Sequence, residues 1–412
     1  MLLSRTRYLL WLLVMIVTLA WHPVTRAEDL SKQLEHNPNA ALLIRTASGR
    51  VLTSVHADRP LVPASTLKLL TALAALEHWG PEHRFVTDFY LHGGTLFIQG
   101  HGDPFLISEE IDAIADELVA AGLPEPVALA LDDRWMAPGL HIDGQSRSEN
   151  PYDAPAGAIA ANFNTIYLNK SRQTVTSAEP QTPVTAITRK IAATLRPGKQ
   201  RVNIPDAHDG ARHFAGILRH KLMQRHIHVT APVTFAPTPD AATRLLRHEN
   251  QHELEQVVRA MLKFSTNFIA NQLFLMLGAE ALGTPATIEK SQHALQAFAR
   301  QRFGWSNIDL REGAGLSRHN HLSARQLDQL LQRFQPWRDL LPHKPGGLIG
   351  KTGTLKGVGC FAGYLSDRHD APSIVLMLND DALAPRRDRI LRQLTRIYRP
   401  TVKKRRLMSL TE

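Results

Sequence analysis

Cysteine is nearly missing from this chain of 412 residues: Cys360 stands alone, which excludes an internal disulfide and leaves stability to a packed core. Its setting, Val358-Gly359-Cys360-Phe361-Ala362-Gly363, is apolar and strand-like, the context of a small packed hydrophobe rather than a reactive thiol. After the first residues no stretch is long and apolar enough to span a membrane, and no internal repeat or low-complexity tract is present. With 43% hydrophobic residues the chain reads as globular and long enough for two or three domains.

The start carries Arg5 and Arg7, an apolar run from Tyr8 to Trp21, and polar residues ending Thr25-Arg26-Ala27. This is the pattern of a secretory signal over residues 1–27. The run is shorter than the roughly 20 residues that a helical span needs, so a cleaved peptide is expected, with a retained anchor as the alternative. The mature protein is then expected in the periplasm. Its formal charge, +10 for the whole chain, stays positive without Arg5, Arg7 and Arg26. For an exported protein that balance points away from nucleic acid and towards an anionic membrane surface or an acidic polymer such as cell-wall peptide carboxylates. The densest basic run, Lys403-Lys404-Arg405-Arg406, reads as a solvated end, with contact to a membrane surface as the second reading.

Ala41 to Ile44, a turn near Ser48-Gly49-Arg50, and Val51 to Val55 predict a hairpin. Leu67 to Leu76 is apolar at nearly every position after Lys68, so the helix predicted there has no solvent face. Three strands are expected over Leu348 to Lys356, Gly359 to Leu365 and Ser373 to Leu378, and a last helix over Arg386 to Tyr398. Strands at both ends with helices between them imply an α/β domain whose sheet is completed by the two chain ends. We expect it to comprise residues 28–84 and 240–412. Residues 85–239, with Gly93-Gly94, Gly100-His101-Gly102-Asp103-Pro104 and several proline joints, read as a mainly β insertion of one or two parts. Within it His213 to Leu222 reads as a helix and His226 to Val233 as a strand.

Three short clusters carry chemistry: Ser65-Thr66-Leu67-Lys68, Ser265-Thr266-Asn267 and Lys351-Thr352-Gly353. Each is weak alone, since a Ser-x-x-Lys arises by chance on the order of once in a chain this long. Order and context strengthen them. The rival Ser148-Glu149-Asn150 lies in a polar loop, whereas Ser265 sits at a junction between apolar helical patterns. On a helix, Lys68 projects its amine beside the Ser65 hydroxyl, pairing a nucleophile with a base once burial and a second cation, Lys351, lower the lysine pKa. The N–H groups at the helix start and the N–H of Thr354 are candidates to hold an oxyanion, with Gly353 leaving room along the strand edge. Ser265 is expected to relay a proton to the leaving amine, Asn267 to grip a substrate carbonyl, and Lys351 and Thr352 to hold a terminal carboxylate.

With these clusters, Pro63 to Leu76, Gly100-His101-Gly102-Asp103-Pro104-Phe105-Leu106, Tyr152-Asp153-Ala154-Pro155, Glu312-Gly313-Ala314-Gly315-Leu316-Ser317-Arg318 and Gly350 to Tyr364, the chain resembles the penicillin-binding protein 4 type of D-alanyl-D-alanine carboxypeptidase/endopeptidase, the S13 serine peptidase family. The resemblance implies a β-lactamase/transpeptidase-like α/β domain with an antiparallel sheet flanked by helices. It also implies an acyl-enzyme on Ser65, peptidoglycan stem peptides as substrate, β-lactams as covalent inhibitors and no cofactor. Thr266 stands where the family usually has Asp, and the insertion lacks the family's tryptophan-rich stretch after Leu131-Asp132-Asp133-Arg134-Trp135.

Three other readings compete. His248-Glu249-Asn250-Gln251-His252 matches the His-Glu-x-x-His pattern of a zinc metallopeptidase, although it is polar on every side, occupies the start of the helix leading to Ser265 and has no evident third ligand in a buried setting, so surface residues are expected. A catalytically silent peptidoglycan-binding protein is opposed by the intact Ser65, Lys68 and Lys351. A β-lactamase requires a deacylating base that no motif supplies.

Overall fold

The computed structural model describes residues 30–230, 232–306 and 308–408, with side chains of the last helix described to Tyr398. Residues 1–27 and the side chains of Lys403-Lys404-Arg405-Arg406 lie outside the described residues. Among the described residues no helix is long and apolar enough to cross a membrane. The chain forms two compact units: one built from its two ends, up to Thr66 and from His321 onward, the other from Leu67–Asn320.

The first unit is organised by a six-stranded antiparallel sheet in the order His343–Lys344, Leu348–Leu355, Val358–Tyr364, Ser373–Leu378, Ala40–Arg45, Val51–Val55. As expected, the ends of the chain meet in it, Ala41 opposite Met377 and Leu43 opposite Val375. The central strands are buried on both faces and read as continuous apolar runs rather than alternating ones. Ile390, Leu391 and Leu394 of the last helix, Arg387–Met408, close one face over Leu42, Ile44, Leu376 and Leu378. Cys360 lies within this core, fully buried, with its pKa pushed up to about 12 by burial. That is the inert setting its neighbours in sequence predict.

The second unit starts with the helix Lys68–Trp79, buried from Lys68 through Leu76. Gly80, at φ +82°, ends it, its N–H returning to the Leu76 carbonyl. Truncating one of Leu69, Leu70 or Leu73 to Ala is expected to cost about 2–5 kcal/mol. The helices Leu254–Phe264, Asn267–Leu282 and Ile288–Phe303 belong to the same unit. So does a five-stranded sheet in the order Thr243–Glu253, Arg84–His92, Thr95–Gly100, Ala128–Asp132, Thr234–Phe235. The helices Ser108–Ala120 and Ala207–Gln224 pack on this sheet through Ile111, Ile114, Phe214 and Leu218. A separate small core, including Ile166, Leu168, Ile187 and Val202, lies under a three-stranded sheet centred on Thr165–Lys170.

Two local expectations are corrected. Among the described residues of His226 to Val233 there is no strand: Val229 makes an isolated bridge, to Val127, His226 turns at φ +63°, and Pro232 offers no N–H to a ladder. His248 to His252 does not start a helix and is exposed only on one face, through Glu249 and Gln251, while His248 and Asn250 are buried. It lies on the strand Thr243–Glu253, and the helix begins at Leu254.

Candidate active site

Ser65 occupies a 3-10 turn, Ala64–Leu67, that runs directly into the helix beginning at Lys68. The turn is entered through Ala64 at φ +47°, a left-handed conformation costly for a residue with a Cβ. Pro63 anchors it, its carbonyl accepting from the Thr66 hydroxyl at 2.7 Å. Ser65 is half-buried at the start of the helix, where backbone N–H groups are unused by the helical ladder.

Lys68 is fully buried, and its Nζ donates to Asn267 Oδ1 and to the Ala314 carbonyl, each at 2.7 Å. Burial drives its pKa down to about 7, against the attraction of the Glu312 carboxylate, which works to raise it. The depression assigned in part to Lys351 from sequence is thus accounted for by burial.

Ser265 falls between two helices, as its flanking patterns predict, and caps the first with φ +57°. The reversal lets the helix Asn267–Leu282 start two residues later, so Asn267 becomes its first residue and is directed at Lys68. The amide nitrogen of Asn267 donates to the Tyr152 carbonyl at 3.1 Å, which fixes its oxygen towards the lysine. Thr266, half-buried, makes no side-chain cap of the second helix.

In the first unit Lys351, Thr352, Gly353 and Thr354 lie along the strand Leu348–Leu355. Its short partner His343–Lys344 pairs only with Ile349 and Leu348, so among the described residues the Lys351–Thr354 segment is laddered on one side, to Val358–Tyr364. Lys351 is buried, and its Nζ donates to the Thr352 carbonyl at 2.9 Å. Gly353 packs against the serine turn: a Cβ there would stand 2.6 Å from the Pro63 carbonyl oxygen and 3.0 Å from the Ser65 nitrogen. Thr354 is exposed, and its hydroxyl accepts from Arg387 at 2.8 Å.

The structure therefore brings the second motif onto Lys68 and the third onto the turn of Ser65. Ser148 remains in its loop, bonded to Asp153. His248 is fully buried with both ring nitrogens engaged, Nδ1 to Glu117 and Nε2 to Glu110, each at 2.9 Å. No group of His, Cys, Asp or Glu among the described residues has metal-binding geometry. Tyr152 and the stretch from Glu312 to Ser317 stand out in the sequence as family signatures without a role of their own. The glycines flanking Ala314 were the available signal.

The profile of the D-Ala-D-Ala carboxypeptidase 3 (S13) family matches residues 26–196 and 197–343. A D-alanyl-D-alanine carboxypeptidase of Actinomadura sp. (strain R39) is 25% identical over 81% of this chain and 76% of its own length. The D-alanyl-D-alanine carboxypeptidase DacB of Haemophilus influenzae is 22% identical over 85% and 87%. The crystal structure of penicillin binding protein 4 from Haemophilus influenzae superposes with a TM-score of 0.71, at 20% identity, over 88% of this chain and 96% of the other. The fold expected from sequence, a transpeptidase-like α/β architecture with an antiparallel sheet flanked by helices, is the fold found.

Proposed function

This chain belongs to the D-Ala-D-Ala carboxypeptidase 3 (S13) family, and on that premise we propose that it removes the terminal D-alanine from peptidoglycan stem peptides through an acyl-enzyme on Ser65. The observation that carries the reading is the buried amine of Lys68, its pKa brought down to about 7 by burial, one helical turn from a serine hydroxyl.

In the proposed reaction Lys68 takes the Ser65 proton as Oγ attacks the carbonyl of the penultimate D-alanine. The N–H groups of Ser65 and Thr354 hold the resulting oxyanion. The C–N bond breaks, and the departing amine receives its proton through Ser265. Water then hydrolyses the ester and restores the serine. Asn267 does two things, orienting Lys68 and holding the substrate backbone, while Lys351 and Thr352 bind the terminal carboxylate. Gly353 keeps the strand edge low enough for a peptide to lie along it.

Penicillins mimic the acyl-D-Ala-D-Ala end and acylate the same serine. Cleavage of cross-bridges is proposed beside carboxypeptidase action. The periplasm is the proposed compartment, on the leader-like residues 1–27, and a membrane-surface contact of the basic C-terminal run is proposed as secondary. Residues 28–84 and 240–412 are proposed as the catalytic domain and 85–239 as the insertion. The two hydrophobic cores contributed by the latter support that division, while the strand Thr243–Glu253 joins the insertion's sheet from beyond residue 239.

The test is release of free D-alanine from a synthetic pentapeptide ending in D-Ala-D-Ala. Wild-type protein should release it and Ser65→Ala should not. Equal release by both, or none from well-folded wild type, contradicts the proposal.

A further inference from the structure

The segment Glu312-Gly313-Ala314-Gly315-Leu316-Ser317 takes no part in the steps above, yet it supplies one of the acceptors of the Lys68 amine. Lys68 Nζ donates to the Ala314 carbonyl at 2.7 Å, and Thr71 Oγ1, one turn further along the same helix, donates to the Gly313 carbonyl at 2.7 Å. These acceptors are useful to the lysine only if the loop is held in place.

Glu312 does the holding. Its fully buried carboxylate accepts from the Ala314 N–H through Oε2 at 2.7 Å, and through Oε1 from Gly315 N–H at 2.7 Å, Leu316 N–H at 2.8 Å and the Asn320 amide at 2.7 Å. The loop is also clamped from the helix side. Asn271 Oδ1 accepts from the Gly313 N–H at 2.8 Å, and a Cβ on Gly313 would stand 2.7 Å from the Ala270 carbonyl oxygen. Of the elements in this unit around Lys68, the helix Asn267–Leu282 presents the neutral amides Asn267 and Asn271, and the loop presents Glu312. The partners of Glu312 are neutral N–H donors, so its charge is left to act on the amine, and its attraction opposes the effect of burial there.

We propose that Glu312 is a positioning residue for the base: it folds residues 313–317 into a turn that keeps the Ala314 carbonyl on the Lys68 amine, and it places one negative charge within electrostatic reach of that amine. The inference rests on Lys68 being the base.

Rate constants for acylation by a fluorescent penicillin, measured from pH 5.5 to 9 on folded protein, test it. Glu312→Gln removes the charge and turns an N–H donor towards a backbone donor. Its plateau rate should fall at least about tenfold, and the midpoint of its rising limb should move to lower pH by about half a unit or more. Glu312→Asp keeps the charge at shorter reach, so its plateau should fall with little movement of the midpoint. A merely structural carboxylate lowers the plateau of E312Q without moving the midpoint, and that result overturns the proposal. If E312Q does not fold, E312D carries the test, and an undiminished plateau overturns it. A Lys68→Met arm separates the two levels: full acylation by K68M defeats the base assignment itself, whereas loss in K68M with an unchanged E312Q defeats only the role of Glu312.

Discussion

Lys68 Nζ and Asn267 Oδ1 stand 2.7 Å apart although 199 residues separate them in sequence. One residue opens the buried helix of the first motif and the other opens the helix that follows the left-handed Ser265. The amide has one oxygen to accept with and directs it at the lysine, because its nitrogen is already committed to the Tyr152 carbonyl. Asn267→Ala should therefore leave the amine short of one partner. We expect acylation by penicillin to fall by about one to two orders of magnitude while the protein stays folded. Stopped-flow acylation checks this, and a rate within twofold of wild type contradicts it.

The pH dependence follows from Lys68. With Lys68 as the proposed base, acylation needs the neutral amine, so its rate should climb as pH rises through about 7. A limb appearing only near the ordinary lysine value of 10.5 would show that burial does not act as described. The same burial carries a stability signature. The unfolded chain holds the Lys68 proton more tightly than the folded one, so this group makes stability rise with pH between about 7 and 10.5.

Gly353→Ala places a methyl group against the Pro63 carbonyl and the Ser65 nitrogen. The strand and the serine turn must separate to admit it. We expect a loss of about 1–3 kcal/mol in stability and a larger proportional loss of acylation, since the reacting serine sits on the displaced turn. Denaturant melts together with acylation rates check both.

His248 offers a prediction away from the chemistry. Burial opposes its charged form, but the hydrogen bonds to Glu110 and Glu117 together with the attraction of their charges outweigh burial and hold its pKa above the usual 6.5. A raised folded pKa contributes stability that is fully present below the unfolded value and lost as pH rises through the folded one. The destabilisation of His248→Gln should therefore be greatest at pH 5.5 to 6 and should shrink by pH 9. Urea melts at both ends of that range check it, and a pH-independent difference contradicts it.

The first motif was legible because its parts are local: Ser65 and Lys68 are three residues apart, and the apolar run after them could only be a buried helix. Ser265 was legible because a polar residue interrupted two apolar helical patterns. The setting of His248 was not, since the carboxylates that bury it come from 131 and 138 residues away and lie on another element. The His-Glu-x-x-His spacing favours a helical reading, but positions four apart also share a face on a strand. His226 to Val233 failed for the opposite reason. Its β-branched residues suited a strand, but the left-handed His226 and Pro232 denied it a ladder. Glu312 needed the structure, because a carboxylate whose partners are backbone N–H groups leaves no spacing rule in the sequence.

The central claim is that Ser65 becomes acylated with Lys68 as its base. The most direct measurement is incubation of the purified protein with a mass-labelled penicillin, followed by digestion and peptide mass spectrometry. A single covalent adduct on Ser65 is expected, absent from Ser65→Ala and sharply reduced in Lys68→Met. An adduct on another residue, or none on folded wild-type protein, would contradict it.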